Sequence, residues 1–198
     1  MIVHNCVAAA SYGMKYSFVV SGAAEMGLCA VDAHLKAQKV GEEVVKHNGI
    51  MFTGATTGIP YWSAKGAKEA GGISIGISPA ASLASHIKTY HLPIDQFDYI
   101  MYTGFEYAGR NLLLTRMADA VIVICGRMGT LNEFTIAFED QKPIGILTGT
   151  GGMADEIEYI VEKSHRKHSK IVYDPDPKTL IEKLIQLLDK ERRDLSSD

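Results

Sequence analysis

Residues 121–133 hold the arrangement best suited to chemistry. The apolar run Val121-Ile122-Val123-Ile124-Cys125 passes into Gly126-Arg127-Met128-Gly129-Thr130, and Leu131-Asn132-Glu133 follows at once. A glycine-punctuated turn between a buried strand and a helix leaves backbone N–H groups unpaired at the helix start, where they hold anions such as phosphate. Glu133 falls one turn into that helix, close enough to act on whatever the phosphate carries. Thr130 reads as a phosphate ligand and also as the helix N-cap, a place threonine fills well. The segment therefore reads as a phosphate cradle with a carboxylate at its edge.

Other residues could complete such a site. Gly22-Ala23-Ala24, the turn Gly54-Ala55-Thr56-Thr57-Gly58, and Thr148-Gly149-Thr150-Gly151-Gly152 each close an apolar run. Gly22, Gly54, Thr57 and Gly58 are candidates for nucleotide contact. For Gly22 and Gly54 alone, a positive φ or close helix–strand packing explains the residue at least as well. Arg110-Asn111 opens a helix after the run Tyr99–Thr103, so Arg110 stands near the same edge; a lone Arg is otherwise a solvated side chain. Glu133 can be a catalytic carboxylate or the structural ion partner of Arg110. Asp119 reads as a cap at the amino end of a strand. Tyr61 and Trp62 can stack on a base or simply pack at a helix start, and Met128 can be a pocket wall or a filler. His165 and His168 have helical spacing but no Cys or carboxylate partner, so no metal site is expected.

The elements that must position these residues alternate along the chain. Short apolar runs at 16–21, 50–53, 73–78, 99–103, 120–125, 143–147 and 171–173 read as strands. Helical spacing covers 31–47, a stretch from Pro60 to Ala70, 109–117, 130–140, 153–164 and 178–192, while 80–97 is ambiguous. Near-continuous apolar strands separated by helices predict an α/β chain with a parallel sheet covered on both faces. Ligands of such sheets bind outside the carboxyl ends of the strands. The four turns should converge there.

Composition excludes several classes. The 198 residues fit one domain, with residues 1–15 an uncertain leader and 194–198 a frayed tail. Hydrophobic residues at 46% and charged residues at 22% suit a soluble globular chain. A net charge of -3 gives no field favouring nucleic acid. The basic run His165-Arg166-Lys167-His168 reads as a solvated helix end complementing the dipole. Cys6, Cys29 and Cys125 are widely spaced and odd in number, which predicts free thiols and a reducing compartment. No signal peptide or membrane span is legible, so a cytoplasmic location is expected. A Ser-His-Asp order, a P-loop, and a GxGxxG with trailing acid are missing, which disfavours ATP hydrolysis and NAD-linked redox chemistry.

Taken together, Arg110-Asn111, Ala118-Asp119-Ala120, the apolar strand and Gly126-x-x-Gly129-Thr130-x-x-Glu133 resemble the LOG (LONELY GUY) family, with its relatives the molybdenum-cofactor carrier proteins. Thr53-Gly54-Ala55-Thr56-Thr57-Gly58-Ile59-Pro60-Tyr61 looks like the family's second glycine motif, and the likeness extends over roughly residues 16 to 165. The resemblance implies a Rossmann-like, doubly wound parallel sheet. It also implies Arg110 and Glu133 as catalytic residues, a homo-oligomer (dimer or tetramer), and no required cofactor beyond a bound nucleotide or phosphate. The implied reaction is cleavage of the N-glycosidic bond of a nucleoside 5′-monophosphate, releasing base and ribose 5-phosphate. Departures bear on this. Cys125 replaces the motif's Pro and Arg127 its second Gly, so Arg127 must point away from the ligand or reach toward its phosphate. Asn111 stands where cytokinin-activating members have Lys, which is more like the carrier-type branches. The alternative implied function is a non-catalytic carrier or sensor of a nucleotide-like ligand such as the molybdenum cofactor.

Overall fold

The structure is a computed structural model that describes residues 14–196; most of the leader, with Cys6, lies outside the described residues. Its sheet is built outward from β5 (Ala120–Ile124), an Ala-Val-Ile-Val-Ile run buried at every position. A strand apolar on both faces must be covered on both, which places it mid-sheet. β1 (Ser17–Gly22) lies beside it, and β2 (Ile50–Thr53), β3 (Ser74–Ser78) and the edge strand β4 (Tyr99–Tyr102) continue one way. β6 (Ile144–Leu147) and β7 (Ile171–Asp174) continue the other way, giving the order β4-β3-β2-β1-β5-β6-β7. Every pairing is parallel, with Val19 beside Val121 and Val20 beside Ile122 at the centre.

Alternation of side chains splits the core into two layers. Phe18, Val20, Ile122 and Ile124 face α1 (Ala33–Lys46), α2 (Ile59–Glu69) and α7 (Pro177–Ser196), meeting Val40, Ala67 and Leu184. Val19, Val121 and Val123 face α4 (Glu106–Met117), α5 (Met128–Glu139) and α6 (Ile157–Lys163), meeting Leu114, Phe134 and Ile157. This is the doubly wound, Rossmann-like α/β fold that the sequence predicts. From β1 the chain builds to one side and from β5 to the other, so a crevice opens between the carboxyl ends of these two strands.

Two glycines let α1 and α2 touch backbone to backbone. A Cβ at Gly66 would overlap the Gln38 carbonyl, and one at Gly41 would overlap the Ser63 carbonyl. Gly66→Ala is expected to cost about 1–3 kcal/mol, the usual penalty of overpacking. Urea unfolding of the two proteins checks it through the midpoint.

Several boundaries differ from those the sequence predicts. Residues 80–97 resolve into a short α3 (Leu83–Lys88), capped by Ser82, whose side chain accepts from the Ser85 N–H, and then a loop. α4 begins at Glu106, a turn earlier than its pattern suggested. The helix expected over 153–164 is divided into a 3₁₀ turn (Gly152–Asp155) and α6, because Asp155 reaches back to accept from the N–H groups of Gly149 and Gly151 at 2.7 and 2.9 Å. α6 stops at Lys163 and His165 has φ +53°, so the basic run follows the helix rather than ending it. α7 extends to Ser196, into the tail expected to fray. Asp119 does cap the amino ends of the central strands, accepting from the Ser17 N–H at 2.7 Å. Among the described residues no helix is long and apolar enough to cross a membrane.

Candidate ligand site

The turn after β5 is set by local backbone geometry. Cys125 and Gly126 take φ of +53° and +99°, and Arg127 is extended, so α5 starts abruptly at Met128. The Arg127 carbonyl accepts from Leu131 N–H at 3.0 Å. Arg127 is therefore the N-cap residue, with no side-chain capping bond, and Thr130 lies inside the first turn. The expectation that Thr130 caps the helix is corrected: the two-glycine turn tightens early enough for Met128 and Gly129 to join the helix. Among the described residues, no amide from Gly126 to Thr130 donates to a protein acceptor. From behind, the 148–154 segment braces the turn. Cys125 N–H donates to Thr150 Oγ1 at 2.8 Å, and the carbonyls of Cys125 and Gly126 accept from Ala154 and Met153. The carbonyls of Cys125 and Gly126 are thus occupied, and the amides of 126–130 keep no acceptor among the described residues.

The turn residues from Arg127 to Thr130 border a cavity of about 480 Å³ between this turn and the β1–α1 loop, a size typical of small-molecule sites. Gly126 is not among the cavity's lining residues, whereas Arg127, Met128, Gly129 and Thr130 are. Met128 is 74% exposed and forms a wall. Glu133 and Arg110 form the inner end, only 6% and 5% exposed.

Glu133 is held on several sides. The Ser21 hydroxyl, at the end of β1, donates to its Oε2. With its nitrogen turned toward acceptors, the Asn111 amide donates to Glu133 Oε1 and to the Tyr107 carbonyl, both at 2.9 Å. Arg110 Nη1 stands 3.6 Å from Oε1, an ion pair without close hydrogen bonding. Burial pushes the Glu133 carboxyl up from its ordinary range, against the pull of Arg110's charge and of the Ser21 hydroxyl. Burial likewise lowers the Arg110 guanidinium, which Glu133 and Tyr107 oppose. Arg110 Nε is buried with no hydrogen-bond partner among the described residues. A buried cation this incompletely paired has donors to offer an anionic ligand.

The glycines serve mostly by staying small. A Cβ at Gly54 would overlap the Arg110 guanidinium, and one at Gly22 would overlap Ile59. Gly22 lines the cavity, and Gly54 borders a small recess behind Arg110 and Glu133. Gly58 (φ +68°) passes against the carbonyls of Ala23 and Ala24 and is not brought to the cavity. Thr57 also stands apart, its hydroxyl donating to the Ala24 carbonyl at 3.1 Å, and Thr56 lines the cavity in its place. Gly54→Ala is expected to displace Arg110 and to weaken ligand handling by up to about 10²-fold, the scale of a 1 Å misplacement. Nucleotide titration of the variant, with a thermal melt as folding control, measures this.

Of the two roles the sequence allows Tyr61 and Trp62, the structure takes packing at the helix start. Trp62 packs against the core and His34, with Lys65 over its ring, and the Tyr61 hydroxyl donates to Asp95. The aromatic side chain at the cavity is Tyr107, one helical turn before Arg110 and paired edge-on with Tyr90. Ser21, Thr56 and Tyr107 were not singled out from sequence. Ser21 had a usable signal, since it ends β1 just ahead of Gly22.

The cysteine expectation fails. Cys29 and Cys125 form a disulfide, with Cα atoms 5.5 Å apart despite 96 residues of separation. Spacing could not reveal this, because adjacency of β1 and β5 brings their following loops together. His168 packs on Phe138.

A parallel sheet with a switch point, an open amide turn at it, and an inward Arg–Glu pair define a LOG-type Rossmann-like protein. More narrowly, the chain belongs to the SLOG cluster4 family, whose model matches residues 15–181. An uncharacterized protein of Archaeoglobus fulgidus is 30% identical over 121 residues, 61% of this chain and 74% of its own length. Among solved structures, the molybdenum cofactor binding protein of Rippkaea orientalis superposes with a TM-score of 0.71 at 25% identity, over 90% of this chain and 98% of that one. The Moco carrier protein of Chlamydomonas reinhardtii gives 0.73 at 25% identity, over 89% and 99%.

Proposed function

We propose that this protein binds a nucleoside 5′-monophosphate and hydrolyses its N-glycosidic bond to free base and ribose 5-phosphate. The observation that carries this reading is the row of amides at 127–130, without protein acceptors among the described residues, bordering the same cavity as a buried carboxylate, Glu133. Phosphate on the amides anchors the ribose. Glu133 then hydrogen-bonds the ribose hydroxyls and opposes the positive charge growing at C1′, or orients the attacking water. Arg110 holds the substrate or assists departure of the base. Incubation with AMP and related monophosphates, with chromatography for free base, tests it: base released in proportion to enzyme supports hydrolysis, and none refutes it.

The second reading is a carrier or sensor that holds a nucleotide-like ligand, such as the molybdenum cofactor, without turnover. One observation favours it: Ser21 and Asn111 already engage the Glu133 carboxylate, as they would a structural one. The names of the two similar solved structures point the same way. Native mass spectrometry of freshly purified protein separates the readings by retained ligand mass.

Self-association belongs to the same proposal. On the edge strand Tyr99 and Met101 are exposed, and Phe105 and Tyr107 extend that apolar surface toward the cavity. A dimer or larger homo-oligomer covering them is expected, and light scattering after gel filtration checks it. A cytoplasmic location, where phosphorylated nucleosides are made and used, completes the reading; there the Cys29–Cys125 bond would exchange with cellular thiols.

A further inference from the structure

Arg127 occupies the place where the family motif has a glycine, and it is the feature of the site that the proposed reaction does not use. Its backbone begins the amide turn, and its side chain crosses the cavity mouth to Glu25 on the β1–α1 loop, Nη1 to Oε2 at 2.5 Å. Both residues line the cavity. The two cations of the site therefore take opposite ends. Arg110 is buried beside Glu133, whereas the Arg127 and Glu25 side chains are 54% and 81% exposed.

Resting on the reading that phosphate sits on the 127–130 amides with the sugar toward Glu133, we propose that Arg127 is a second phosphate ligand. The preferred ligand class is then a nucleoside 5′-diphosphate or a nucleotide joined through a pyrophosphate. The geometry orders the groups from inside outward. Sugar and base lie toward Glu133, Arg110 and Tyr107, the first phosphate lies on the α5 amides, and whatever extends beyond that phosphate reaches the mouth. Arg127 is the cation waiting there. Its present bond is easily surrendered, since exposed ion pairs contribute little, while the guanidinium fork matches phosphate oxygens two at a time. Glu25 acts as the placeholder. Its carboxylate holds Arg127 across the opening and repels a second phosphate once Arg127 is absent.

The test is calorimetric titration with AMP and with ADP of the wild-type chain, Arg127→Ala, Arg127→Lys and Glu25→Gln, each checked by thermal melting. The wild type should bind ADP about tenfold or more tighter than AMP, the size of one charged hydrogen bond. That ratio should fall to about one in Arg127→Ala, survive in part in Arg127→Lys, and rise in Glu25→Gln. Equal affinities in the wild type, or a ratio that persists in Arg127→Ala, overturn this inference while leaving monophosphate binding intact. Binding of AMP without ADP overturns the inference alone, and failure of both nucleotides to bind overturns the inference and the proposed function together.

Discussion

Glu133→Gln should reduce base release from AMP by about 10²–10⁴-fold, the contribution of a positioned proton-transfer or charge-stabilising group, while the variant still binds nucleotide. Phosphate binding rests on amides that the substitution does not touch, and Gln can still accept from Ser21. Turnover needs the negative charge. Because burial raises the Glu133 carboxyl, the acidic limb of kcat/KM should lie above the ordinary glutamate value of about 4.3 and vanish in the variant. Stability carries the same signature with a definite sign. A carboxyl whose folded pKa exceeds its unfolded one contributes stability that is complete below the unfolded value and lost as pH rises through the folded one. The wild type should thus lose stability upward from about pH 4.3 with a slope that Glu133→Gln lacks. The slope is the useful quantity, since the variant also leaves Arg110 without its counter-charge. Unchanged turnover in Glu133→Gln removes this residue from the mechanism.

Loss of the Cys29–Cys125 bond should have the largest effect on stability. Closing 96 residues of chain corresponds to about 2–5 kcal/mol, which for a chain of this size is a drop in melting midpoint of roughly 5–15 °C. Cys125 is fully buried, so Cys29→Ser is the cleaner probe beside melts with and without dithiothreitol. Thiol titration of denatured, unreduced protein should find one free thiol of the three cysteines in the sequence. Three free thiols and identical melts contradict the bond.

The sequence was legible where interactions are local and obscure where they are not. β5, its turn and α5 form one continuous segment, so the strand, the glycines and Glu133 could be read as a unit. The parallel sheet was legible because seven apolar runs alternate with helical patterns. The Asn111–Glu133 and Ser21–Glu133 contacts join segments 22 and 112 residues apart, and no periodicity encodes them. For Trp62 the sequence allows stacking on a base or packing at a helix start, and the structure takes the second, turning it toward α1 and leaving Tyr107 at the cavity. Thr130 suits a cap by type, but residue preference alone cannot say that the cap falls three residues earlier, at Arg127.

The central claim is that the open amides after β5 grip the phosphate of the ligand. Its most direct measurement is the ¹H–¹⁵N amide spectrum of the labelled protein during titration with AMP. The resonances of Arg127, Met128, Gly129 and Thr130 should shift saturably, along with Glu133 and Arg110, while those on the opposite sheet edge stay in place. Saturable shifts elsewhere with the 127–130 amides unmoved would contradict the account.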